Sequence, residues 1–441
     1  MPLFLITITL AITACYAVAA VYYPQLYVFA TYEDMYGEWG QAYFFLATGI
    51  FSLLNVLRRD SSPDKLAAVA PEPAEGQPEA SKSHFKWFFA LLAAAAFYTF
   101  LEEISWGQRL IGFDTPGFFS ENSYQDEANL HNLLTGPVET WAKTALTYLL
   151  ALGFIGYGVI FPLTLKARWK PALFLGRWGL PAPPLALLPA FVISAVCELE
   201  LFAFNEAEVA ELLVAMSMAF TALHYWLNNN PRRLYYFMAV TLAVGAAAFT
   251  TTQTLLNNPS QKSEIEHRLA NGYEKFADRY ERYDHYRAIA QVLEFYDQLK
   301  PNNTVVLRRI ADNYRLADDT QKADEFVNRA IEAGLKRYAE DPDNVPSNIS
   351  LAKSYHLANR PEKVYFYGFH AYQLALKNHD KEPDNAYWAY WLAKACEQIN
   401  QQQDALKYYR EAYHLEPDNS RYERAYHEKK QRMAEFYEEH E

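Results

Sequence analysis

The sequence predicts an all-α fold in two parts, a seven-span transmembrane helical bundle followed by a soluble helical domain. Three observations predict it. Apolar stretches close to the length of a membrane crossing recur through the first 256 residues. The lysines and arginines between them gather on one side of the alternation. Beyond residue 257 the apolar spacing changes to that of amphipathic soluble helices.

The apolar stretches are 3–29, 39–57, 86–106, 141–165, 183–204, 208–228 and 233–256. Each approaches the ~20 residues with which a helix crosses ~30 Å of hydrocarbon. Connecting segments 58–86, 166–177 and 232–233 carry Arg58, Arg59, Lys65, Lys82, Lys86, Lys166, Arg168, Lys170, Arg177, Arg232 and Arg233. The opposite segments carry Arg109 and, at a border, Lys143. The positive-inside rule therefore places the amino terminus in the cytoplasm, and an odd number of crossings places everything after residue 256 outside. Trp87, Trp106, Trp141, Trp169, Trp178 and Trp226 fall near span ends, as an aromatic belt does. The expected location is an integral membrane protein of the bacterial inner membrane with a periplasmic C-terminal domain.

Residues 60–84, with Pro63, Pro71, Pro73 and Pro78, read as a cytoplasmic linker. The long segment 104–140 is aromatic and acidic, is broken by Gly112, Pro116 and Gly117, and is expected outside. Ile12-Thr13-Ala14-Cys15 has the look of a lipoprotein cleavage box, but no Lys or Arg precedes it and the apolar run continues past the cysteine. The three cysteines, Cys15, Cys197 and Cys396, are too few and too scattered for a disulfide framework. A net charge of −12 without a basic stripe excludes nucleic acid as a partner.

After Asn257 a repeat appears. Small residues Ala277, Ala311, Ala352 and Ala393 recur at spacings of 34, 41 and 41 residues, each followed three residues later by Tyr280, Tyr314, Tyr355 or Cys396. Pro-Asp-Asn turns at 342–344, 383–385 and 417–419 are suited to stop one helix and cap the next. Over about residues 263–420 this pattern resembles the tetratricopeptide (TPR) repeat, a helix-turn-helix unit with small residues where its helices cross. The resemblance implies a TPR-like α-solenoid whose concave groove holds a peptide or helix of another protein. Residues 421–441, highly charged, read as a solvated capping helix.

Acidic residues gather at the expected outer face. Glu102 and Glu103 close the third span, Glu127 and His131 lie four apart in the outer loop, Glu198 and Glu200 end the fifth span, and Glu206, Glu208 and Glu211 surround the start of the sixth. Ionisable groups within spans are costly and usually functional or paired. Carboxylates with one imidazole suit a divalent metal ion, so Glu102, Glu103, Glu127, His131, Glu198 and Glu211 form a candidate metal or polar site. The set has a faint likeness to carboxylate-bridged di-iron bundles, but its Glu and His are four rather than three apart and a second histidine is lacking. The string Glu102–Arg109 followed by Leu130-His131-Asn132 resembles polytopic bacterial membrane proteins of unassigned role. The alternatives are that outer loops are simply acidic, with Arg109 pairing one of the acids, or that the acids line a proton or ion pathway. Glu102 or Glu103 is expected to approach His131 and Glu198 through neighbouring third and fifth spans, with Glu206 a solvated bystander.

Two functions follow from different features. The repeat points to a membrane-anchored adaptor or assembly protein that presents its outer domain to another protein. The acids point to an intramembrane, metal-dependent hydrolase or transferase acting on a lipid-linked substrate at the outer face. No phosphate-binding loop, nucleophile elbow or His-Glu-x-x-His motif is present.

Overall fold

The computed structural model describes residues 1–32, 34–58, 82–111, 113, 115, 117, 141–228 and 230–438; residues 59–81, which hold most of the expected linker 60–84, most of the segment 112–140, Glu127 and His131 lie outside the described residues, and residues 82–84 of that expected linker are helical instead. Among the described residues the protein is wholly helical, without strands. It divides into two compact units, Met1–Gly272 and Tyr273–Glu441.

In the first unit six helices are long and apolar enough to cross a membrane, and a seventh apolar helix, Leu185–Glu198, is shorter. Helix α1 (Pro2–Tyr22) is followed by α2 (Pro24–Thr31), so the 3–29 stretch is broken at Tyr23. Pro24 lacks the N–H and carries the ring that prevent α1 from continuing through it. Next come α3 (Tyr36–Leu57) and α4 (Lys82–Glu103). Helix α5 (Trp141–Ile155) passes through a π-helical turn, Gly156–Ile160, into α6 (Phe161–Lys166). Of the glycines in this region, Gly158 is the one pressed against a neighbour, since a Cβ there would run into the Phe191 ring. Apart from shorter helical turns, there follow α7 (Lys170–Trp178), α8 (Leu188–Glu198), α9 (Ala207–Leu227) and α10 (Arg233–Asn257). Helix α11 (Pro259–Glu281) contains the boundary between the units.

Helix α3 packs against α4, α9 and α10, and α9 packs also on α8. Helix α9 is the most enclosed of the long apolar helices; Leu213, Ala215, Met216, Ala219, Phe220 and Leu223 are fully buried in one core with Leu187, Phe191 and Phe237. The outer helices turn Leu3, Leu10, Leu91, Leu149, Leu152, Leu242 and Phe249 outward. So much apolar surface on one unit is suited to a bilayer rather than to water.

The second unit is a run of helices joined by short turns: α12 (Tyr286–Leu299), α13 (Thr304–Leu316), α14 (Thr320–Glu340), α15 (Val345–Leu357), α16 (Pro361–Lys381), α17 (Ala386–Gln398), α18 (Gln402–Leu415) and α19 (Ser420–Glu438). Each packs on its neighbours in sequence, and α13, α15 and α17 also touch in succession. Ala277, Ala311, Ala352 and Ala393 are all fully buried. The turn asparagines do cap: Asn344 Oδ1 accepts from the Ser347 amide at 2.9 Å, Asn385 from Tyr387 at 3.0 Å and Asn419 from Arg421 at 3.2 Å. The terminal charged helix is tied down by Tyr422, buried beside Tyr390, and by Lys429, 3.4 Å from Glu397.

A charge at one of the small positions has no room and no partner. Ala393→Asp is expected to destabilise the second unit by about 4 kcal/mol or more. Limited proteolysis of the full chain checks this: residues 273–441 of the variant become protease-sensitive while the first unit keeps its pattern. A resistant variant would show that Ala393 does not sit at a helix crossing.

Candidate functional site

One end of the first unit collects the acids because four helices begin or end there. Helix α3 starts at this end with Glu38, α4 finishes with Glu102 and Glu103, α8 finishes with Glu198, and α9 starts with Glu208 and Glu211. At the centre is a side chain that the acid pattern did not reveal, Gln41. Its Nε2 donates to Glu211 Oε2 at 2.6 Å, and the same amide interacts with the Glu103 carboxyl group. Glu103 is within electrostatic reach of Glu211, Glu38 and Glu102, and Glu211 is within reach of Glu200. Glu198 is buried within reach of Glu211 and Glu200, and its Oε2 has no hydrogen-bond partner among the described residues.

The third and fifth apolar segments are not direct neighbours in the way expected. Helix α4 packs on α3, α3 on α9, and α9 on α8, so Glu103 and Glu198 are linked through Gln41 and Glu211. Glu102 turns to a different task. It is buried and accepts a 2.7 Å hydrogen bond from Trp106 Nε1, across a turn in which Ser105 and Trp106 have φ of 45° and 54°. That turn ends the third apolar helix at Glu103 rather than at residue 106.

Glu206 is not the solvated bystander expected. It is buried, and its two oxygens accept the Phe202 and Phe204 amides, each at 2.6 Å. The backbone it holds is irregular, with Glu200, Ala203 and Asn205 at positive φ, so the fifth helix stops at Glu198 rather than at residue 204. Asn205 Nδ2 adds a 3.0 Å bond to the Thr31 carbonyl.

Beside the acids, buried Asp34 pairs with Arg268 at 3.2 Å, and its backbone amide donates to Glu38. Trp39 Nε1 closes the same turn with a 3.2 Å bond to the Asp34 carbonyl. Sequence reasoning missed Gln41, Glu38 and this ion pair. The available signal was Gln41 itself, a full amide within an otherwise apolar run.

Among the described residues no group of three or more His, Cys, Asp or Glu side chains is arranged to hold a metal ion. Glu127 and His131 lie outside the described residues. What these residues do assemble is a pair of carboxyl groups, Glu103 and Glu211, on one amide, with Glu198 and Glu38 close by. Such a set has the groups needed to take up a cation or to exchange a proton with a bound molecule. Neither the models of known families nor the curated proteins match this chain.

Two substitutions separate scaffold from site. Glu206→Ala removes a carboxylate that accepts from the Phe202 and Phe204 amides and is expected to cost about 1–3 kcal/mol in all. Arg268→Met leaves Asp34 buried without its cation, at about 3–5 kcal/mol. Thermal unfolding of the purified protein in detergent should show both as clear drops in midpoint, whereas Glu200→Gln, at an exposed position, should leave the midpoint unchanged.

Proposed function

We propose that the chain is an integral membrane adaptor or assembly protein. In this reading the first unit is a seven-span bundle, with Leu185–Glu198 completing the set of crossings and the amino terminus in the cytoplasm. The second unit is a TPR-like α-solenoid on the periplasmic side of a bacterial inner membrane, and its groove holds a segment of another protein. One observation carries the proposal. The four marker alanines are buried in phase, and alternate helices α13, α15 and α17 touch in succession, as stacked helical hairpins require. The bilayer and a protein are the partners of this reading, and nucleic acid is not.

A photo-crosslinking side chain at Asp312 or His356, on the face shared by α13 and α15, is expected to capture a second polypeptide in cells. The same group at Glu362, on α16, is the control. Equal capture from both, or none from either, overturns the groove. Orientation has its own test. A reporter active only outside the cytoplasm should work when fused after residue 260 and fail within 60–84. The reverse pattern would invert the bundle.

A second reading, an intramembrane hydrolase or transferase acting on a lipid-linked substrate at the outer face, is favoured by the joining of Glu103 and Glu211 through Gln41. Its metal-dependent form needs ligands beyond the described residues, His131 first among them. A stoichiometric divalent metal in the purified protein, lost in Glu211→Ala and in His131→Ala, would support that form.

A further inference from the structure

Gln41 is 2% exposed, and its Nε2 donates to Glu211 Oε2 at 2.6 Å and interacts with the Glu103 carboxyl group. An amide nitrogen carries two hydrogens, so the two carboxyl groups use both. The Oε1 of the same amide is buried and has no hydrogen-bond partner among the described residues. Covalent geometry sets that oxygen beside the nitrogen, and so beside the pair. A second unpartnered acceptor stands at the end of α8. Glu198 is 7% exposed, its Oε2 has no hydrogen-bond partner among the described residues, and it is within electrostatic reach of Glu211.

The charge around these oxygens is one-sided. Among the described residues the charged groups acting most on Glu103, Glu198 and Glu211 are carboxylates: Glu38, Glu102, Glu200 and one another. The neutral amide of Gln41 cannot offset them. Arg268, the cation beside the acids, is engaged by Asp34 at 3.2 Å and by Glu264 at 3.1 Å. Glu103 and Glu211 are only partly buried, so the pair is open at its edge to a small group, whereas Gln41 lies beneath.

We propose that Glu103, Glu211 and Gln41 bind a primary ammonium group, with Glu198 as the adjoining acceptor. This goes beyond the adaptor reading and holds whether or not a reaction follows binding. Donor count and distance select among the cations that suit such oxygens. A metal ion needs its ligands at about 2.0–2.6 Å from one centre. Among the described residues no three His, Cys, Asp or Glu side chains are grouped in that way. A single proton shared by the pair supplies one O–H, too few for Gln41 Oε1 and Glu198 Oε2 together. An ammonium carries three N–H donors and meets oxygens at about 2.7–2.9 Å. It can therefore donate to one oxygen of Glu103, one of Glu211 and an orphaned acceptor, and it brings the positive charge that the acids lack. A quaternary ammonium has the charge but no N–H, and leaves those acceptors unanswered. The ammonium can come from the headgroup of an aminolipid, given the apolar surface of this unit, or from a soluble amine.

The experiment uses the full chain in phosphatidylcholine nanodiscs, whose headgroups carry no N–H. Four probes are titrated by calorimetry at low salt and pH 7, with empty nanodiscs as the blank. They are ethanolamine, choline, dihexanoyl phosphatidylethanolamine and dihexanoyl phosphatidylcholine. An amine probe is expected to bind at least tenfold more tightly than its quaternary counterpart. Binding of both amines identifies the ammonium group alone as the ligand, and binding of the phospholipid amine alone identifies an aminolipid headgroup. Glu103→Gln and Glu211→Gln should each weaken binding about tenfold with unchanged circular dichroism, whereas Glu362→Gln on α16 should not change it. Failure of both amines to bind, quaternary probes that bind as tightly, or full affinity in both site variants would overturn the proposal. Amine binding in a chain that captures nothing through Asp312 or His356 would remove the adaptor and leave this site standing.

Discussion

Helix α3 touches α4, α9 and α10 at once, and most of its polar side chains are answered inside the protein, with Ser52 Oγ and Gln41 Oε1 the exceptions among the described residues. Within hydrocarbon an unanswered donor or acceptor costs several kcal/mol, because no water reaches it. The bonds are spread along the helix. Toward α9, Gln41 meets Glu211, Asn55 Nδ2 donates to the Ala222 carbonyl at 2.9 Å, and Arg58 donates to the Trp226 carbonyl at 2.9 Å. Toward α10, the Tyr43 and Thr251 hydroxyls meet at 2.6 Å, and Gln253 donates to the Tyr36 hydroxyl at 2.7 Å. Apolar packing alone would leave the register of these helices loosely specified, since one aliphatic face slides on another at little cost. The polar bonds fix it, and with it the meeting of Glu103 and Glu211.

The same logic separates the acids by task. Glu206 and Glu102 are spent on architecture, one on the backbone of the 199–205 turn and the other on the Trp106 indole. Asp34 is spent on Arg268. Glu198, with an oxygen that has no hydrogen-bond partner among the described residues, and the Glu103–Glu211 pair are the acids whose placement scaffolding does not explain. A cluster that looked uniform as a sequence is therefore divided by structure into supports and candidates.

Much of this division depends on contacts remote in sequence. Apolar runs such as 233–256 were legible because length and hydropathy are local properties, and α10 covers that run nearly residue for residue. The small residues 277, 311, 352 and 393 were legible because a repeat announces itself by recurrence. The stop of the fifth helix at Glu198 was not, since left-handed backbone at Glu200, Ala203 and Asn205 contains no glycine and is held by a carboxylate downstream. Gln41 could be noticed but not assigned, because its partner lies 170 residues away and depends on how α3 and α9 are set against one another.

The π turn at Gly156–Ile160 shows how one long apolar helix can serve two neighbours. Such a turn is an inserted residue that a helix has absorbed, and it advances every later side chain by about 100° relative to an unbroken helix. Before it, α5 is matched to α8; after it, Phe161 and Leu165 are matched to Ala172 on α7. The two halves thus share an axis but not a phase. Evolution can retune either half by substitution without disturbing the other, whereas deletion of a single residue from the turn would force both onto one phase and set one of them against the wrong partner.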